Sequence, residues 1–145
     1  VANDRADLAA LAGCDAVHIG QEDLPFDLVH RSAPQLAVGI STHDHDELAI
    51  ALAAEPDYIA LGPIWETKLK AMKWAPQGLA RITDWKQRIG ALPLCAIGGI
   101  TPERAPSVLS AGADSVAVIT DFFTHADPES RVRQWLAWAD TVRAA

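Results

Sequence analysis

Cysteine and methionine are scarce in this 145-residue sequence, and basic residues are fewer than acidic ones. The two cysteines, Cys14 and Cys95, lie far apart without metal-ligand spacing, which favours buried thiols in a reducing, cytoplasmic compartment. A net charge of −7 disfavours nucleic acids and anionic membranes as partners. The longest apolar runs have only the length of strands, so no segment is expected to cross a bilayer.

Half of the residues are apolar, which predicts a single domain over residues 1–145 with a substantial core. A pattern of helix end, turn with aspartate and short apolar strand recurs around Asp15, Asp57 and Asp114. Uninterrupted apolar runs predict strands covered on both faces, and therefore a parallel sheet. Strands are expected near 17–19, 36–40, 57–61, 93–97 and 115–119, with helices at 5–12, 24–31, 44–54, 76–89, 102–111 and 128–142.

This alternation is typical of either a doubly wound sheet or part of a βα barrel. In both folds the chemistry collects at the carboxyl ends of the strands. Polar residues cluster at these ends, which predicts a functional site there. They occur at Asn3-Asp4, 18–23, 41–43, the loop 62–77, Gly98-Gly99 and Thr120-Asp121.

The most informative of these ends is the run of an apolar strand into Gly98-Gly99. Thr101 is expected to cap the next helix, with Pro102 at its first position and Glu103 in its first turn. Glycines let the backbone approach a ligand closely, and a helix start offers free N–H groups. The stretch therefore predicts a phosphate site built from main chain, although a plain turn between strand and helix would have the same residues.

Asp4 and Asp23 follow neighbouring predicted strands. Carboxylates with room for phosphate oxygens suit Mg²⁺, which keeps some of its waters and bridges phosphates. The alternatives are a helix cap for Asp4 and a solvated turn for Asp23.

The long loop 62–77 concentrates lysines in an acidic protein, at positions 68, 70 and 73. Such a loop is often a lid, although lysines on loops are commonly only solvated. Trp65 and Trp74 flank the lysines and are candidate walls of a pocket, whereas the helical spacing of Trp85, Trp135 and Trp138 indicates packing.

In combination and in this order, these motifs resemble the thiamine-phosphate synthase family over essentially the whole chain. The resemblance implies a (β/α)8 TIM barrel, here a partial barrel with about five complete parallel strands and alternating helices, because Val1 matches the tail of the family's third strand. The matching segments are Asn3-Asp4, 17–24, 39–43, 62–64, Thr67 with Lys70, 75–78, 96–100 and 111–118.

The resemblance implies a reaction between two small molecules. A hydroxymethylpyrimidine diphosphate loses pyrophosphate, and the ring nitrogen of a thiazole phosphate bonds to its methylene carbon to give thiamine phosphate. No general base is needed. The implied cofactor is Mg²⁺, held by Asp4 and Asp23.

The resemblance also implies which residues bind the substrates. Asn3 and Lys70 would contact the diphosphate and Ser41 the pyrimidine, with Lys70 and Ser41 as the candidate catalytic residues. The thiazole phosphate would be bound by Thr67 and by the backbone of Gly98, Gly99, Ile119 and Thr120.

Two departures from the family qualify this interpretation. Leu69 stands where the family's loop usually has a second threonine, and the family's Gln-x-Arg-x-Lys strand has no counterpart in this sequence. We therefore expect a fragment or truncated product that is inactive alone and prone to associate through open sheet edges. Whether it forms homo-oligomers is left open. The alternatives are a thiazole tautomerase of the same fold and a non-catalytic phosphate-binding α/β module.

Overall fold

The structure, a computed structural model, describes residues 1–67 and 73–143, in which six parallel strands form one curled sheet, half of a barrel. Each strand pairs with the next along the chain, so the spatial order is the sequence order. The strands are β1 (Ala2–Asn3), β2 (Ala16–Ile19), β3 (Ala37–Thr42), β4 (Tyr58–Leu61), β5 (Leu94–Ile97) and β6 (Ser115–Ala117). All five predicted strands are present. The strand tail that was expected at Val1 corresponds to β1, which begins one residue later, at Ala2.

Helices connect the strands and cover the outer face of the sheet. They are α1 (Ala6–Leu11), α2 (Phe26–Ser32), α3 (His45–Ala53), α4 (Gly78–Ile89), α5 (Ala105–Ser110), α6 (Thr120–Phe123) and α7 (Pro128–Arg143). The six predicted helices correspond to α1 to α5 and α7. The short α6 was not predicted, because four residues cannot display a helical period. No helix among residues 1–67 and 73–143 is long and apolar enough to cross a bilayer.

The core lies between the sheet and these helices. Alternate strand residues such as Val17, Ile19 and Leu61 are buried against it. Trp85 of α4 is fully buried, as its spacing predicted, and its Nε1 donates to Thr42 Oγ1 at 2.8 Å. Cys14 and Cys95 are free thiols, as expected, but both are only partly buried.

The aspartate repeat has a structural role. Asp57 Oδ2 accepts from the backbone N–H of Val38 at 2.7 Å, and Asp114 Oδ2 accepts from Leu94 N–H at 2.8 Å. Each carboxylate thus joins the turn before one strand to the start of the preceding strand. Asp15 differs, because its backbone oxygen accepts from Ala37 N–H at 3.1 Å, at the start of the following strand.

The helix predicted to open at Thr101 begins later, at Ala105. The N–H groups of Arg104 and Ala105 donate to Thr101 O at 3.0 and 2.9 Å, so residues 102–104 form a turn. The N-cap is Arg104, which makes no side-chain cap. Thr101 therefore contributes its carbonyl at this turn, and the prediction of a capping hydroxyl was wrong.

Candidate active site

A cavity of about 940 Å³ opens at the carboxyl ends of the strands. Every predicted site residue that the structure describes lies on its wall, whereas Lys70 and Leu69 lie outside the described residues. The predicted residues on the wall are Asn3, Asp4, Asp23, Ser41, Thr67, Gly98, Gly99, Ile119 and Thr120. They lie at the carboxyl ends of all six strands or in the segments that follow them, so the fold alone brings them together.

One wall of the cavity is formed by the Gly98-Gly99 turn. The two residues have φ angles of +99° and +65°, a backbone region that favours glycine. A Cβ added to Gly98 would lie 2.7 Å from the Cα of Pro63, and one added to Gly99 would lie 2.7 Å from Glu66 O. The close approach that these glycines permit is therefore to the loop after β4, which helps to fix the turn beside the cavity.

The loops after β5 and β6 lie side by side, because these strands are paired as far as Ile97 and Ala117. Gly98-Gly99 follows β5, and Ile119-Thr120 follows β6 and leads into α6. We call these two backbone segments the cradle.

The opposite wall carries the two carboxylates. Asp4 follows β1 with a φ of +65°, and its N–H donates to His18 O at 2.9 Å. Asp23 Oδ2 accepts from Gly20 N–H at 2.6 Å. The N-cap of α1 is Arg5, so the alternative interpretation of Asp4 as that cap is wrong.

Among residues 1–67 and 73–143 no group of three or more His, Cys, Asp or Glu side chains is placed to hold a metal ion. The carboxylates of Asp4 and Asp23 line the same cavity, and carboxylate oxygens are donors of the kind that Mg²⁺ prefers.

Between the two walls, a row of polar side chains crosses β2, β3 and β4. His18 Nδ1 and the Tyr58 hydroxyl are hydrogen bonded at 2.9 Å, and His18 Nε2 and Ser41 Oγ at 2.8 Å. Gly39 is paired with His18 on one side and Tyr58 on the other. A Cβ on Gly39 would lie 1.9 Å from Tyr58 Cζ, so the tyrosine ring occupies the space that the glycine leaves.

Tyr58 was not predicted as a site residue, and His18 was predicted only as part of the polar stretch 18–23, with no role of its own. The available signal was a glycine inside an apolar strand, which often marks the close approach of another group. Recognising it required the register that pairs Gly39 with both neighbours.

Burial is the main cause of the shifted pKa values of His18 and Tyr58 in this row. It holds the pKa of His18 below its usual 6.5, against the opposing effect of the Asp23 carboxylate. Burial, with a smaller effect from Cys95, raises the pKa of Tyr58 to about 12. A neutral imidazole therefore lies between two hydroxyl groups at neutral pH and orients Ser41 towards the cavity.

We predict that His18 titrates below pH 6.5 in the folded protein, as NMR of the imidazole nitrogens would measure. Asp23→Asn should lower the pKa of His18 further, because it removes the charge that raises it. In the parent protein, between pH 6.5 and the lower pKa of folded His18, this histidine binds a proton in the unfolded chain but not in the folded one. The free energy of unfolding therefore falls as the pH drops through this range. A pKa at or above 6.5 would contradict this account of the row.

Of the two tryptophans that flank the lysines and were candidate walls of a pocket, Trp74 is among the described residues that line the cavity and Trp65 is not. The Trp74 ring stacks on His43 with centroids 5.3 Å apart. Trp65 packs under the Arg104 guanidinium at 4.9 Å, while Arg104 Nη1 donates to Gly99 O at 2.6 Å.

A curled parallel sheet with a cavity at the carboxyl ends of its strands is the architecture of βα-barrel enzymes. Within that class, the family described as thiamine monophosphate synthase matches residues 1–122. The chain belongs to this family, which is a family of transferases.

Relatives and solved structures agree with this assignment. A thiamine-phosphate synthase from Rhizobium etli is 59% identical over 94% of this chain and 68% of its own length. One from Salmonella agona is 47% identical over 94% of this chain and 65% of its own. The structure of a thiamine phosphate pyrophosphorylase from Pyrococcus furiosus superposes with a TM-score of 0.84 at 28% identity, over 97% of this chain and 66% of that one. The chain thus spans about two thirds of the length of these relatives.

Proposed function

We propose that the full-length protein is a thiamine-phosphate synthase. It joins 4-amino-2-methyl-5-hydroxymethylpyrimidine diphosphate to 4-methyl-5-hydroxyethylthiazole phosphate, giving thiamine phosphate and pyrophosphate. The observation that carries the proposal is that one cavity is lined by two carboxylates at one end and by the cradle at the other. Carboxylates suited to a metal–diphosphate lie after β1 and β2, and the cradle lies after β5 and β6.

In the proposed reaction a bond forms between the thiazole nitrogen and the methylene carbon of the pyrimidine. The bond from that carbon to the diphosphate oxygen breaks, and pyrophosphate leaves with the electron pair. Mg²⁺, when bound, neutralises charge that develops on the leaving group. Since no proton has to be removed, the neutral His18 has no need to act as a base.

The residues have separate proposed roles. Asp4 and Asp23 hold the metal, while Asn3 and Lys70 contact the diphosphate. Ser41, oriented by His18, contacts the pyrimidine. The position of Ser41 fits this role, because β3 lies in the sheet between the strands that lead to the carboxylates and those that lead to the cradle.

On the other side, Thr67 and the backbone of the cradle bind the thiazole phosphate. Both substrates are small molecules of biosynthesis, and we expect the protein to act in the cytoplasm.

Calorimetry of the full-length protein tests this proposal against the alternatives. Binding of the pyrimidine diphosphate should require Mg²⁺, whereas binding of the thiazole phosphate should not. Interconversion of thiazole phosphate tautomers without diphosphate binding would instead indicate a tautomerase. Binding of both ligands with no bond formed between them would indicate a non-catalytic module.

A further inference from the structure

One guanidinium on α7 links the two loops that carry the cradle. Arg131 donates through Nε and Nη2 to both carboxylate oxygens of Asp121, at 2.8 and 2.9 Å. It also donates through Nη1 and Nη2 to the Glu103 carboxylate, at 3.1 and 3.2 Å. Asp121 directly follows Thr120, and Glu103 lies in the turn that follows Gly99. A single cation therefore bridges both halves of the cradle.

This bridge is largely shielded from solvent on the Asp121 side. The side chains of Arg131 and Asp121 are each 12% exposed, and Trp135 Nε1 donates to Asp121 Oδ2 at 2.8 Å. Bidentate pairs between arginine and carboxylate have a well-defined geometry. The bridge acts beyond Ile97 and Ala117, the last registered pair of β5 and β6. It therefore holds the loops where strand pairing no longer sets their separation.

The bridge also affects the charge near the cradle. Asp121 lines the cavity, and an unpaired carboxylate there would repel a phosphate. Hydrogen bonds from Arg131 and Thr101 lower the pKa of Glu103 to about 2, so this acid is ionised at neutral pH. Without Arg131, the Asp121 carboxylate would line the cavity without the cation that pairs with it, while the charge of the 69% exposed Glu103 side chain would be screened by solvent.

We propose that Arg131 is a positioning residue that sets the separation of Gly98-Gly99 and Ile119-Thr120 for binding a phosphate monoester. The inference rests on the proposed function, because it takes the cradle to be the site of the thiazole phosphate. Arg131 is not among the described residues that line the cavity, so it acts through Asp121 and Glu103.

The test compares Arg131→Gln with Arg133→Gln in the full-length protein, using calorimetry with thiazole phosphate, inorganic phosphate and the Mg²⁺–pyrimidine diphosphate. Arg133 lies on the same helix and pairs with Glu129, but its side chain is 65% exposed, so the control makes the same charge change outside the bridge. Arg131→Gln should raise the Kd of thiazole phosphate and inorganic phosphate about tenfold or more, because small displacements of a binding group have large effects. Its binding of the diphosphate should not change, and Arg133→Gln should bind all three ligands normally.

Three results would overturn the inference. In the first, Arg131→Gln binds thiazole phosphate as tightly as the parent or no more weakly than Arg133→Gln. In the second, Arg131→Gln loses both substrates together with a fall in Tm, which would make its role one of stability alone. In the third, the parent binds neither thiazole phosphate nor inorganic phosphate, which would contradict the proposed cradle itself as well as this inference.

Discussion

We expect Asp23→Ala to remove nearly all Mg²⁺-dependent turnover of the full-length protein while leaving its fold intact. Asp23 lies at the end of the cavity proposed to hold the metal–diphosphate. A metal supplies several kcal/mol of charge stabilisation, and each ~1.4 kcal/mol is a factor of ten, so we expect kcat/KM to fall about a thousandfold. Steady-state kinetics across a Mg²⁺ titration, with circular dichroism as the check on folding, measures this effect.

Two further variants separate the charge of Asp23 from its hydrogen bond. Asp23→Asn retains an oxygen that can accept from Gly20 N–H, so it should fold like the parent and still lose activity. Asp27→Asn makes the same charge change at an exposed ion pair with Arg31 and should be fully active. Activity of Asp23→Asn within a factor of a few of the parent would exclude the metal role.

We expect Gly99→Val to prevent tight binding of the thiazole phosphate. The φ of Gly99 is +65°, and a Cβ there would lie 2.7 Å from Glu66 O and 2.8 Å from Trp65 Cβ. Because the obstacles include backbone, the turn must move away from the loop after β4, and the cradle moves with it. We expect affinity for thiazole phosphate to fall at least about a hundredfold, as a displacement near 1 Å is enough for such a loss.

Gly90 provides a matched control for backbone strain. Its φ is +61°, but an added Cβ would meet nothing within 4 Å. At this φ its ψ is −119°, a backbone conformation that residues other than glycine rarely adopt, so Gly90→Val should cost about 1–3 kcal/mol of stability and leave ligand binding unchanged. If Gly99→Val bound the thiazole phosphate normally, or if Gly90→Val weakened binding equally, the assignment of the cradle would be wrong.

The positions of the strands were predictable because each of the five predicted strands is a short apolar run, and three of them follow a turn with aspartate. Asp57 and Asp114 also bond to the preceding strand, so the repeat in the sequence reflects a repeated interaction in the fold. The start of α5 was not predictable in the same way. Thr101 has the residue type of a cap, but the chain first makes a turn in which its carbonyl accepts two N–H groups.

The predicted site residues lie on one cavity because they share the carboxyl edge of a parallel sheet, which is a property of the topology. The contacts that orient them depend on neighbours distant in sequence. The row of His18, Gly39 and Tyr58 requires the register of three strands, and the bridge by Arg131 requires the packing of α7. Neither leaves a local pattern in the sequence.

The most direct test of the proposed function is product formation by the full-length protein from its two substrates. Phosphorus NMR and chromatography should show thiamine phosphate and pyrophosphate appearing in equal amounts, only when both substrates and Mg²⁺ are present. Omission of the thiazole phosphate should stop pyrophosphate release. Release of pyrophosphate without thiamine phosphate, or no product under any of these conditions, would contradict the proposed function.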